Sequence, residues 1–377
     1  MLNRLGQSIP PMLVSDQVRR VQRKKLLAVS CAAAMGTCFL LLAGIWLAVG
    51  EEVPKWLPFL FLVVYTAFWL CVGLHNLSIS LLYGKLVEAT SRGRLMLIAT
   101  TIGSIFAVTC AWFLMRQWLD DEHPNFVMLF LFTGILFLTA SITATALVEQ
   151  PDVTDSDSVK PKTVYQSLSA AVTIFKNDRN FQLLTLVAAC FGVSITLFPH
   201  YQAYAKQSLN LSISSLVPWV IAQNIGAAAF SILFGKLADS FGNRLALKFA
   251  MLLISTIPLL TMLMVNFPTS NPEVGLYFVF FLLGSMPVTI RLFNNYTLEI
   301  SNRDQQPIYL STLGAFTALP VVLISTIVGI MVDLVGFESV FAVVGSIVFV
   351  GWTLTFRLKE PRLQAGSNIA ETVNNDS

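Results

Sequence analysis

Charge is segregated along this 377-residue chain: apolar runs of twenty residues or more alternate with short polar segments that hold nearly all the Asp, Glu, Lys and Arg. Apolar side chains make up 55% of the sequence and charged ones only 12%, whereas a soluble domain carries about 25% charged residues. A helix needs about 20 apolar residues to cross the hydrocarbon core of a bilayer, and within hydrocarbon a helix satisfies its own backbone polar groups. The pattern predicts an all-α polytopic membrane protein of about ten transmembrane helices, at roughly 26–49, 57–83, 95–116, 125–148, 181–205, 213–235, 245–266, 275–298, 308–332 and 338–356.

The distribution of basic residues gives an orientation. With the amino terminus in the cytoplasm, the inside segments hold most of the 24 Lys and Arg, from Arg4 and the cluster Arg19–Lys25 to Arg357, Lys359 and Arg362. The outside loops hold Lys55, Arg116 and Lys206, together with acids such as Glu51, Asp121, Asp333 and Glu338. By the positive-inside rule both termini face the cytoplasm, and the expected location is the plasma (inner) membrane. No cleavable leader is expected, because the run after Arg19–Lys25 is too long for a signal h-region. Cys31, Cys38, Cys71, Cys110 and Cys190 all fall in apolar runs, so neither a disulfide framework nor a metal site is expected. Phosphate-cradling glycine loops, nucleophile elbows and paired-acid motifs are missing. We therefore expect no enzyme, no cofactor and no nucleic-acid partner.

The expected domains are a cytoplasmic segment at 1–24, a four-helix bundle at 25–148, a linker at 149–180, a six-helix bundle at 181–358 and a disordered cytoplasmic tail at 359–377. Pro10-Pro11 is expected to break any helix in the first segment. The stretch Glu149–Lys162 carries Pro151, Pro161 and alternating Asp and Ser, too polar to bury a core. After it, Tyr165, Leu168, Val172 and Phe175 recur at helical spacing. They predict a short helix, either lying on the membrane interface or acting as a soluble linker.

The sharpest motif is the polar turn Gly235-Lys-Leu-Ala-Asp-Ser-Phe-Gly-Asn-Arg244 between two apolar runs. A turn this short makes its flanking helices antiparallel neighbours. Gly235 and Gly242 permit close approach or positive φ, and Asp239 lies where a helix amino terminus favours an anion. Arg244 and Lys248 are placed to close an ion pair with it. The turn resembles the signature loop of the major facilitator superfamily, matched at Gly235, Leu237, Ala238, Asp239, Gly242, Arg244 and Leu247. Ser240 and Asn243 depart from it, standing where the family has basic residues. Phe198-Pro-His-Tyr201, Tyr204-Ala205 and Pro307-Ile-Tyr-Leu310 are similar to stretches in uncharacterised transporters of this type.

The resemblance implies two pseudo-symmetric halves of six helices, so the amino half here is two spans short. One parse starts at the family's first helix, with Gly84-Lys-Leu86 as a second, imperfect turn. The other, preferred, lacks the first two helices. It makes residues 1–24 the tail of the second helix and its turn, and makes Arg92-Gly93-Arg94 the basic turn after the fourth. The implied function is secondary transport of an unidentified small solute by alternating access, proton-coupled or not, as a monomer in the lipid bilayer. A second reading is a degenerate relative used as a sensor or scaffold. A third is a gene start placed downstream of the true one.

Ionisable and polar groups inside a membrane are functional candidates by default. Arg291, with Asn294 after it, either faces a cavity, binding an anion or pairing with Glu299, or snorkels to the interface. His75 and Asn76 lie in a span that the resemblance makes cavity-lining. There His75 either binds substrate or shuttles a proton, or else bonds between helices. His200 and Tyr201 follow Pro199 near an outer helix end, as a gate or as interface anchors. Gln223 sits mid-membrane, where interhelical hydrogen bonding is the plainer role. Gly235, Asp239, Gly242, Arg244, Arg92 and Arg94 are the expected conformational-switch turns.

Overall fold

Helices account for the fold, and the computed structural model describes residues 2–49, 54–88, 90–118, 125–152, 164–209, 216–266 and 272–360. In chain order they are α1 (Leu2–Arg20), α2 (Lys24–Val49), α3 (Leu57–Leu86), α4 (Arg92–Cys110), α5 (Phe126–Thr145), α6 (Val164–Asn177) and α7 (Arg179–Thr196). Then come α8 (Phe198–Leu209), α9 (Leu216–Phe241), α10 (Asn243–Asn266), α11 (Pro272–Leu283), α12 (Ser285–Ile300) and α13 (Gln306–Thr355). Among the described residues, 9 helical segments are long and apolar enough to cross a membrane. The ninth, Arg303–Thr355, runs for 53 residues. It is interrupted at Gly336, whose φ of 82° and ψ of 165° are not helical, so it supplies the two last spans that the sequence predicts. Most of the acidic outer loop around Asp121, the polar linker at 153–163 and the carboxyl tail lie outside the described residues.

By its contacts the chain falls into two units. One comprises Met1–Val87, Thr109–Ile174 and Asp304–Val322; the other comprises Glu88–Val108, Phe175–Arg303 and Leu323–Ser377.

In the first unit α1 packs on α3, and α2 packs on α3 and α5. The expected break at Pro10-Pro11 does not occur, because α1 runs helically from Leu2 to Arg20 through both prolines. Prolines at 10 and 11 deprive the carbonyls of Gly6 and Gln7 of their usual donors four residues on. Those two oxygens face Gly73 of α3, where an added Cβ would lie 2.8 and 2.5 Å from them. Only a glycine lets the neighbouring backbone approach this closely. Gly36 of α2 and Gly134 of α5 face each other in the same manner: a Cβ on Gly36 would lie 2.9 Å from the Gly134 carbonyl. Phe39, Phe68, Phe130 and Phe137 fill the space beside that crossing. The hydroxyl of Ser141 donates to the Val29 carbonyl at 2.9 Å and ties α5 to α2.

In the second unit α10 lies against α9, α11 and α12. Gly226 of α9 abuts the carbonyl of Phe281, and Gly284 abuts the backbone of Gln223 and Ala227. Trp219 stacks on Phe280 with centroids 4.7 Å apart. The α7–α8 break falls at Leu197, and Pro199 enters α8 in its first turn, where a proline costs no helical hydrogen bond. Gly284 makes the corresponding break between α11 and α12.

Candidate functional site

The signature turn joins α9 to α10 within the second unit. Asp239 sits in the last turn of α9, and its Oδ1 accepts from the backbone N–H of Gly93 at 2.9 Å. Gly93 is the second residue of α4, so the carboxylate anchors a helix amino terminus, where both unpaired N–H groups and the dipole favour an anion. The helices meet there without side chains: a Cβ on Gly235 would lie 2.7 Å from the Gly93 carbonyl, and one on Gly93 would strike the Gly235 carbonyl. Arg92 is buried at the first position of α4, and Arg94 is exposed. Gly242 has φ 92°, which favours glycine, and a Cβ there would also lie 2.5 Å from Oε1 of Glu360.

The expected pairing of Arg244 with Asp239 is not what the turn makes. Arg244 donates from its guanidinium to the carbonyl of Phe356 at 2.9 Å, and the Lys248 ammonium lies 4.4 Å from the centre of the Phe356 ring. These basic groups therefore hold the exit of the last helix. Asn243 donates to Glu299 Oε1 at 2.8 Å. Tyr296 donates to the Lys359 carbonyl at 2.6 Å, and the Lys359 N–H donates to Asn180 Oδ1 at 3.0 Å. Glu299 thus serves the turn and is not the partner of Arg291. The guanidinium of Arg291 is exposed on α12 and donates to the hydroxyl of Thr100 on α4. Asn294 is half-buried one turn further on.

Toward the other end of this unit, Tyr201 is buried against Phe341, with ring centres 5.1 Å apart. His200 meets the edge of Phe337 at 6.3 Å. Tyr204 donates to Glu338 Oε1 at 3.1 Å, and Asn266 donates to the same oxygen at 2.9 Å. Gln223 is half-buried, and the Asn224 amide returns to the carbonyl of Val220 in its own helix at 2.9 Å.

In the first unit the His75 Nδ1 lies 3.1 Å from the carbonyl of Ala28, an α3–α2 bond. Only a protonated Nδ1 can donate there, and Nε2 meets no partner among the described residues. Asn76 is exposed. The most concentrated charge lies where the chain leaves α5. Glu149 is fully enclosed as a side chain. Its Oε1 accepts from the Lys24 N–H at 2.9 Å and from Lys85 Nζ at 2.9 Å, and its Oε2 accepts from the Lys25 N–H at 2.8 Å. It therefore caps the amino terminus of α2. Asp152 adds ion pairs to Lys85 at 2.9 Å and Lys24 at 3.6 Å, while the Lys24 ammonium caps the end of α1 at the Val18 and Arg19 carbonyls. Beside this cluster lies a cavity of about 470 Å³, bounded by Ser15, Asp16 and Arg19 of α1, Tyr165 and Ser169 of α6, and Asp304 and Pro307 ahead of and in α13.

Sequence reasoning missed Glu149 and Glu360. Each follows the last span of its half, and each lies beside the start of a helix that opens after a basic or polar turn. A glutamate one or two residues ahead of a proline at both exits, Glu149 before Pro151 and Glu360 before Pro361, was the available signal.

The family model of the Major Facilitator Superfamily matches residues 5–296 and, in a second overlapping match, 219–374. The chain belongs to the major facilitator superfamily. Three solved members of similar fold are the human organic anion transporter MFSD10, the fucose:proton symporter FucP of E. coli and the proton:xylose symporter XylE. MFSD10 is 13% identical with a TM-score of 0.67 over 94% of this chain and 82% of its own. FucP is 14% identical with a TM-score of 0.67, covering 94% and 89%. XylE is 14% identical with a TM-score of 0.68, covering 95% and 85%. No curated protein sequence matches. The all-α polytopic fold and its role as a secondary transporter of a small solute follow from this membership.

Proposed function

We propose that this facilitator moves its solute by alternating access with Arg291 and Asn294 as substrate contacts, and with the Gly235–Arg244 turn and Arg92–Arg94 as the conformational switch. The observation that carries the proposal is an exposed guanidinium on a spanning helix that donates to the neutral hydroxyl of Thr100 and, among the described residues, pairs with no carboxylate. A cation at membrane depth that lacks a carboxylate partner is retained for binding more readily than for stability. His75 serves in this reading as an interhelical bond whose Nε2 remains open to a ligand or proton. Asn76, His200, Tyr201 and Gln223 are secondary contacts, and Tyr201 is a packing residue first. The bundles at 25–148 and 181–358, proton coupling, a monomeric state and a plasma-membrane location belong to the same proposal. The solved members of similar fold carry organic anions, fucose or xylose, so fold alone selects none of these for this chain.

Arg291→Gln is expected to reduce solute uptake by about tenfold or more at unchanged membrane abundance, a loss of about 1.4 kcal/mol in binding. Arg291→Lys should recover only part of it, because it keeps the charge and loses the planar fork. Wild-type uptake by both variants would mean that Arg291 merely reaches for the interface. A cytoplasmic carboxyl end and a cytoplasmic Lys236–Arg244 turn are supported by the basic-residue bias. Labelling by an impermeant thiol reagent should reach Lys55→Cys from outside and Lys236→Cys only after permeabilisation; the reverse pattern would invert the orientation.

A further inference from the structure

The count of basic residues placed Arg4 on the cytoplasmic side, but the helix that carries it says otherwise. Helix α1 runs in the same direction as α3. Its carboxyl end meets the end of α3 through Lys24, which caps the Val18 and Arg19 carbonyls and shares Asp152 with Lys85. Further up, Gly6 lies against the backbone of Trp69 and Leu70, and Gly73 faces the carbonyls of Gly6 and Gln7. Residues 6–7 are therefore level with the middle of a 30-residue spanning helix. Arg4 lies half a turn beyond them, about 24 Å along α1 from Arg20 at 1.5 Å per residue. That level is near the midpoint of α3, beyond the reach of a side chain extending to the cytoplasmic surface.

Arg4 is half-buried there, and its guanidinium donates to the side-chain oxygen of Gln7 at 3.3 Å. Among the described residues no carboxylate forms an ion pair with it. The surroundings are polar by membrane standards. Ser8 donates to the Gly314 carbonyl of α13 at 3.2 Å, and the buried indole N–H of Trp69, on the α3 face that Gly6 touches, has no acceptor among the described residues. Neither the Arg4 guanidinium nor the Trp69 N–H meets a carboxylate among the described residues. An arginine at this depth presents a planar fork suited to a carboxylate or phosphate held bidentately.

We propose that Arg4, held by Gln7, is the anion-recognition residue of the first unit, and that the transported solute is a small organic anion carrying a carboxylate. The inference rests on the transporter reading and adds the class of its substrate. The test uses the full chain in lipid nanodiscs and follows its thermal unfolding midpoint. Benzoate, succinate, inorganic phosphate and neutral glucose are titrated at matched ionic strength. A carboxylate is expected to raise the midpoint saturably, with glucose inert. Arg4→Gln should fold and weaken that carboxylate at least about tenfold, Arg4→Lys should bind it weakly, and Lys55→Gln should respond as wild type does. A response to phosphate alone would replace the carboxylate class. Equal responses in wild type and Arg4→Gln, or none to any anion, would overturn the assignment. A response to glucose alone would do so while leaving transport itself intact. Failure of the transporter reading shows separately, as absence of uptake for every solute.

Discussion

Replacing Glu149 by alanine is expected to lower the stability of the folded chain by about 3–5 kcal/mol, the cost of breaking a buried charge pair from one side. The enclosed carboxylate satisfies two backbone N–H groups at the start of α2 and the Lys85 ammonium at once. Its removal leaves those N–H groups without acceptors and leaves Lys85 only Asp152 and the Gln150 carbonyl. Glu149→Gln keeps a neutral acceptor for one or two of the three donors and should cost less, about 1–3 kcal/mol. Unfolding in detergent, followed by intrinsic fluorescence against temperature, checks both. An alanine variant as stable as wild type would show that water replaces the carboxylate at no cost, and would remove the cluster from the account.

The second large effect is expected on cycling rather than on folding. Asp239→Ala deletes the hydrogen bond from Gly93 to a carboxylate, an interaction of a charged group worth about 1.5–3 kcal/mol. If the contact exists in one conformation of the cycle and not in another, its loss moves the balance between them by roughly ten- to a hundredfold. Uptake should fall accordingly while membrane abundance stays near wild type. Arg244 is indifferent to the change because it is engaged by the Phe356 carbonyl. Absence of the variant from the membrane would instead make the turn a folding element. Asp239→Asn separates the two: it keeps an acceptor for Gly93 and loses the charge at the helix terminus.

The spans were legible because apolar length is a local property, and so was the turn at Gly235–Arg244, where Gly242 takes the positive φ its spacing implied. Its partners were not legible. Asp239 finds a backbone N–H more than a hundred residues away, and Arg244 finds a carbonyl in the last helix. The sequence offers no signal for either, since backbone groups carry no residue identity. The first twenty residues were misread for a different reason. Two adjacent prolines and a basic cluster imitate a surface segment, whereas the freed carbonyls of Gly6 and Gln7 are accommodated by Gly73 in another helix. Arg4 was counted with the basic cluster because a charge count along the chain ignores depth. For the same reason Glu299 was assigned to Arg291 by spacing along α12, although it bonds Asn243 at the turn.

The account rests on this chain carrying a solute across a membrane. The purified protein, reconstituted in liposomes, should be assayed with a panel of radiolabelled carboxylates, phosphates, sugars and amines, with and without an imposed pH gradient. It predicts saturable, protein-dependent uptake of at least one solute, slowed in Asp239→Ala and Arg291→Gln liposomes of equal protein content. Uptake no greater than in protein-free liposomes for every solute in the panel, under either gradient condition, would contradict it.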